Sequence, residues 1–130
     1  MDIVSTQREI EFRGYCDYKK QWEYGGFAKI NDDVFIVAKC DFFKVTPESV
    51  GQYTGLKDKH GNKIFEGDIL RTRNTSIFIV EWRSEFAGFY CTNYLAKNTV
   101  FQIGTDICHE SSEVIGNVFD NPELLGENND

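Results

Sequence analysis

The sequence predicts a mainly β domain: all-β with minor helix, a barrel or sandwich by its strands and turns, with a small SH3-like barrel that carries an N-terminal hairpin extension as the leading expectation. Three observations lead there. The 130 residues include 11 Phe, 6 Tyr and 2 Trp, and aromatic and β-branched residues outweigh Leu and Ala, which suits a pleated, half-buried surface. Apolar residues recur in short alternating runs separated by Gly, Asn and Asp clusters, the pattern of strands joined by turns. Helix signals come only in pieces of about one turn. A chain of this length forms one domain and buries roughly two thirds of its unfolded surface, so a core is possible without staples.

The first strand is expected at Ile10-Glu11-Phe12-Arg13, where apolar and polar residues alternate. Gly14 and residues 17–20 break it, and Trp22-Glu23-Tyr24 resumes it. Together they predict a hairpin with a polar loop, ended by Gly25-Gly26. Asn31-Asp32-Asp33 is a turn cluster. It leads into Val34-Phe35-Ile36-Val37-Ala38, a continuous apolar run that reads as a strand buried on both faces. Thr46-Pro47 opens a helical or 3₁₀ turn, with Thr as cap and Pro at the first helical position, and Gly51 stops it. Residues 77–82 are the strongest strand. Residues 86–90 and Tyr94-Leu95 give a less regular pair. Residues 112–119 form a last strand in which Gly116 marks a bulge, and Asn121-Pro122 starts a short terminal turn. Residues 1–7 are an N-terminal extension. The domain spans 8–125, with the hairpin and a variable part over 8–45 and the barrel part over 46–125, and 126–130 read as a disordered acidic tail.

The most informative stretch is QYTGLKDKHGNKIFEGDIL, residues 52–70. Asp and Asn side chains bond their own backbone in turns, and Gly supplies a positive φ without steric cost. Asp58, Gly61 and Asn62 therefore predict a tight reversal, a type I turn with Gly61 left-handed. Gly55, Gly67 and Asp68 are further turn residues: Gly67 permits a kink, Asp68 caps free amides, and Ile69-Leu70 enters the core. A phosphate-loop signature is absent, because no Lys follows Gly67. The acids are not spaced as a calcium loop. Residues 57–73 do carry five bases against three acids, so Lys57, Lys59, Lys63, Arg71 and Arg73, with Tyr53 and Trp82 for stacking, are candidate contacts for an anionic ligand or a partner.

Charge and cysteine usage narrow the function. The chain carries −7, but the last base is Lys97 and seven acids follow it from Asp106 to Asp130. That balance argues against direct nucleic-acid binding, since phosphate backbones need clustered Lys and Arg. Cys16, Cys40, Cys91 and Cys108 are widely spread without a C-x-x-C pair, and no secretion signal opens the chain. Reduced thiols packed as small hydrophobes and a cytoplasmic location are expected. No apolar run approaches the about 20 residues of a membrane span. Cys108-His109 is the one adjacent pair of metal-type residues, too few for a zinc site. No catalytic constellation, metal set or cofactor motif stands out. The aromatic hairpin, marginal alone in water, must dock on the barrel or on a second copy, so a homo-oligomer is expected.

Three blocks carry a family resemblance: Arg8-Glu9-Ile10-Glu11-Phe12-Arg13-Gly14, Gly51 to Asp58 continuing through Glu66-Gly67-Asp68-Ile69, and Glu113 to Leu125. The chain resembles the YopX family, small proteins of phages and prophages mainly of Gram-positive bacteria. The resemblance implies a mostly-β, barrel-like, oligomeric domain and carries over no catalytic residue. The leading expectation is a non-enzymatic phage or prophage accessory protein that acts by binding, inhibiting a host defence protein through an acidic surface. The alternatives are a protein that binds or sequesters a nucleotide through the basic 57–73 loops, and an uncharacterised hydrolase.

Overall fold

A computed structural model describes residues 8–93 and 99–125. The mainly β expectation holds. Eleven strands form two antiparallel sheets. The first contains β1 (Phe12–Cys16), β2 (Gln21–Ile30), β3 (Asp33–Ala38), β4 (Asp41–Lys44), β5 (Gly51–Lys57) and β6 (Lys63–Phe65), in the spatial order β4-β3-β2-β1-β5-β6. The second contains β7 (Asp68–Arg71), β8 (Ile77–Arg83), β9 (Gly88–Asn93), β10 (Val100–Gln102) and β11 (Glu113–Asn117), in the order β10-β9-β8-β7-β11. Both sheets keep free edges, so no closed barrel is present among the described residues. Among the described residues, helix is limited to 3₁₀ turns at Pro47–Ser49, His109–Ser111 and Pro122–Leu125. No described helix is long and apolar enough to cross a membrane.

The N-terminal hairpin forms, with Phe12 opposite Gly25 and Cys16 opposite Gln21, but three glycines do not act as breakers. Gly14 lies inside β1, and β2 runs straight through Gly25 and Gly26. At Gly25 an added Cβ would stand 2.2 Å from the Val37 carbonyl oxygen, so the missing side chain is what lets β3 approach. The 34–38 run is a strand, yet only Ile36 is fully buried. Phe35 and Phe42, in edge-to-face contact at 6.1 Å, lie with Ile30 on the outer face of the β2–β3–β4 meander, where Phe42 and Ile30 are exposed. The buried-on-both-faces expectation is corrected accordingly: periodicity cannot tell a run covered twice from one covered once.

Two apolar clusters hold the sheets. Cys16, Ile36 and Val45 pack with Phe12, Val34 and Phe43 under the hairpin. Ile64, Leu70, Phe78, Val80, Cys91, Ile103 and Ile107 form the larger core under the second sheet. Each large aliphatic or aromatic side chain fully withdrawn from water contributes about 1.5–3 kcal/mol. Cys16 and Cys91 are core residues, whereas Cys40 and Cys108 are exposed, so only half of the thiols act as small hydrophobes. In β11 the register shifts between Val114 and Gly116 against β7, the bulge read at that glycine. Tyr94-Leu95 and the 126–130 tail fall outside the described residues.

Candidate functional site

The hub of the fold is built from the stretch around Gly67. Gly67 adopts φ +95°, which turns the chain so that the Phe65 amide donates to Asp68 Oδ2 at 2.7 Å. Asp68, 1% exposed, then receives Arg13 Nη2 at 2.8 Å. The Arg13 guanidinium is held between the Trp22 and Phe65 rings, 4.9 Å from each centroid. Burial pushes the Asp68 carboxyl above the usual range, against the opposing pull of Arg13 and the Phe65 amide. This pair ties β1 to β7, and so one sheet to the other.

A second buried carboxylate pins the 58–62 turn. Asp58 Oδ1 accepts the His60 and Asn62 amides at 2.9 and 2.8 Å, and Oδ2 accepts the Val114 amide at 2.9 Å. Burial alone would raise this carboxyl, but those amides outweigh it and hold it below the ordinary carboxylate range. Gly61 closes the turn at φ +81°, and Gly55 at φ +93° sits at the irregular pairing of β5 with β6.

The five bases of 57–73 spread over two faces. Lys63 pairs with Glu9 and with Glu11, the latter at 3.0 Å, and its ammonium extends over the Tyr53 ring at 5.3 Å. Those two carboxylates raise the Lys63 pKa. Tyr53 itself is 5% exposed and packs on Phe65. Lys59, Arg71 and Arg73 do meet, around a cleft of about 350 Å³ that also holds Thr72, Ser111 and the two carboxylates Glu110 and Glu113. Arg71 Nη2 lies 3.0 Å and Lys59 Nζ 3.9 Å from the same Glu113 oxygen. Among the described residues, Lys57 and Arg73 have no ion-pair partner. Trp82 is elsewhere.

Trp82 lines a cleft of about 540 Å³ whose walls come from both sheets. Arg13 and Trp22 come to it from the hairpin, Glu48 from the first 3₁₀ turn, Glu66 from the turn before β7, and Glu81 to Glu85 from the end of β8. Phe119 closes one side. Trp22 is fixed by its Nε1–H, which donates to Asp120 Oδ2 at 2.9 Å, and by edge-to-face contacts with Phe119 and Tyr15 at 5.8 and 5.7 Å. The aromatic hairpin therefore docks on the C-terminal segment of its own chain. Trp82 stands on Phe89 at 5.2 Å and is 46% exposed.

The electrostatics of this cleft are acidic. Arg13 is neutralised by Asp68, and Arg83 by Glu81 and Glu85 at 3.5 and 3.6 Å. Glu48 has no ion-pair partner among the described residues. Among the described residues, Glu66 accepts only the Gln52 amide, at 3.4 Å, and burial raises its carboxyl against that bond and the more distant Arg13. Arg13, Glu48, Glu66 and Glu85 are not among the contact residues the sequence points to, whereas Trp22 belongs to the aromatic hairpin. The available signals were the aromatic hairpin and the Glu66-Gly67-Asp68 block.

The described residues thus form two antiparallel sheets with an acidic, tryptophan-lined cleft, and among them no three or more His, Cys, Asp or Glu side chains cluster so as to hold a metal ion. The chain belongs to the YopX protein family, whose model matches residues 7–126. In three dimensions it is similar to the crystal structure of protein EF1440 from Enterococcus faecalis, with a TM-score of 0.59 at 21% identity, over 92% of this chain and 100% of that one. At that identity the likeness concerns the fold alone. No curated protein matches.

Proposed function

We propose that this protein is a non-enzymatic phage or prophage accessory protein that works in the bacterial cytoplasm by binding, and that it captures a basic segment of a host protein, such as a defence protein, in the inter-sheet cleft. The observation that carries the reading is the charge of that cleft: its two arginines are already paired, while Glu48 and Glu66 are left facing it beside the exposed indole of Trp82. Carboxylates beside an indole attract Lys and Arg by Coulomb attraction and by the ring's negative face. Family membership supports the phage context. Titrating intrinsic tryptophan fluorescence with a short Arg-rich peptide should give saturable, salt-sensitive quenching that Trp82→Ala abolishes. An equal response to a Glu-rich peptide would refute the reading.

A second reading, binding of a nucleotide or another anionic small molecule, is favoured by the meeting of Lys59, Arg71 and Arg73 around one cleft. An anion there would have to displace Glu113 from Arg71 and Lys59, which leaves Arg73 as its first contact. Raised thermal stability with pyrophosphate, lost in Arg73→Ala, would support it; an unchanged melting temperature would remove it. Self-association is the third element of the proposal, through the apolar outer face of β2–β3–β4, and a monomer mass by light scattering at high micromolar concentration would exclude it.

A further inference from the structure

We infer that the occupant of the inter-sheet cleft is an extended basic peptide that pairs its main chain with the end of β8 at Trp82, where β7 no longer covers it. The inference rests on the cleft reading above and specifies how the partner is held. Backbone polar groups alternate sides along a strand. On one side of β8 the Gly67 amide donates to the Val80 carbonyl at 2.8 Å. On the far side of β9 the Asn93 amide donates to the Thr99 carbonyl at 3.2 Å. The groups of Tyr90 and Gly88 therefore face β8, opposite Glu81 and Arg83. Both observations put the N–H and C=O of Trp82 on the β7 side of the strand.

β7 does not reach that far. Its pairing with β8 runs from Arg71–Ile77 to Ile69–Ile79, and the positive φ of Gly67 then carries the chain away. The opposite side of β8 stays paired with β9 as far as Arg83. The main-chain donor and acceptor of Trp82 are thus left facing the cleft with no backbone partner among the described residues. An unpaired donor and acceptor at a strand end beside a cleft can start strand addition, in which main-chain bonds give affinity and alternate side chains give specificity.

The chemistry of those alternate side chains follows from the walls. Trp82 shares a recess with Glu66, Val50 and Phe89. Every second side chain of an added strand would enter that recess, over the indole and beside the Glu66 carboxylate, while Glu48 and Glu85 lie along the larger cleft. The guest is therefore a segment with Arg or Lys at alternating positions, and free polyamines satisfy only half of the site.

The test uses the full chain and three probes: a peptide alternating Arg with Ser, the same peptide N-methylated at its central residue, and spermine. Hydrogen exchange at the Trp82 amide is followed with affinity. The first peptide should slow exchange at Trp82 at least tenfold, and N-methylation should weaken binding about tenfold, the worth of one main-chain bond. If all three probes bind in a charge-dependent way but Trp82 exchange stays unchanged and N-methylation costs nothing, strand addition is wrong while the acidic-cleft reading stands. If none of them binds, both fall.

Discussion

Removing the Asp58 carboxylate should release the 58–62 turn from β11. The side chain is 5% exposed and accepts three backbone amides, of which Val114 belongs to a distant part of the chain. Hydrogen bonds to a charged acceptor contribute about 1.5–3 kcal/mol each, but the His60 and Asn62 amides lie in an exposed turn where water can replace the carboxylate. The Val114 bond counts in full and the other two in part, so Asp58→Ala should cost about 3 kcal/mol. Asp58→Asn keeps an acceptor for the turn amides but turns its NH₂ toward the Val114 N–H, and should cost about 2 kcal/mol. The folded-state pKa of Asp58 is depressed, so its stabilisation is fully present above the unfolded value of about 4 and is lost as pH falls through the folded one. In urea unfolding followed by tryptophan fluorescence, the gap between wild type and Asp58→Asn should be widest above about pH 5 and shrink in acid, with unchanged m-values. A Asp58→Ala cost below about 0.5 kcal/mol, or a gap that widens on acidification, would contradict the reasoning.

Gly25→Ala should destabilise by about 2–3 kcal/mol through its clash with the Val37 carbonyl. Gly26→Ala, whose nearest foreign atom is 3.9 Å away, should be far milder, and equal urea midpoints for the two would refute the close-approach argument. Arg13→Ala leaves Asp68 buried and unpaired and should cost about 3–5 kcal/mol. The pair replacement Arg13→Met with Asp68→Leu should regain part of that loss; a double variant less stable than the single one would show that the ion pair itself is a net stabiliser. In the folded protein iodoacetamide should reach Cys40 and Cys108. The Cys108 thiol is held below its usual range by the Ser111 side chain and by the Ser111 and Glu110 amides, whereas burial with the nearby Glu81 pushes Cys91 up to about 12. Cys91 should label only after unfolding, and comparable rates for Cys91 and Cys108 by peptide mapping would overturn this.

Much of the fold is legible in the residues because turn chemistry is local. Asn31 to Asp33 turns between β2 and β3, Pro47 opens a single 3₁₀ turn, and β11 bulges beside Gly116, each for reasons contained within a few positions. Glycine is where local reading fails. Gly25 has the composition of a breaker, yet it lies within β2 because the Val37 carbonyl needs the space a side chain would fill. The 34–38 run is legible as a strand but not as half-covered, since what lies over it is a tertiary fact. The cleft is the least legible part. Its walls come from positions 13 to 119 and converge only through the two sheets. Likewise the charge of 57–73 cannot be judged alone, because Glu9, Glu11 and Glu113 answer three of its five bases from far along the chain.

The acidic cleft is tested most directly by the affinity of an Arg-rich peptide for the wild-type chain and for a variant with Glu48, Glu66 and Glu85 all changed to Gln, compared by calorimetry at low and high salt. The wild type should bind, weaken as salt rises, and lose most of its affinity in the neutralised variant while that variant keeps its melting temperature. Equal affinity in both proteins, unaffected by salt, would show that the acidic cleft is not where this protein meets a partner.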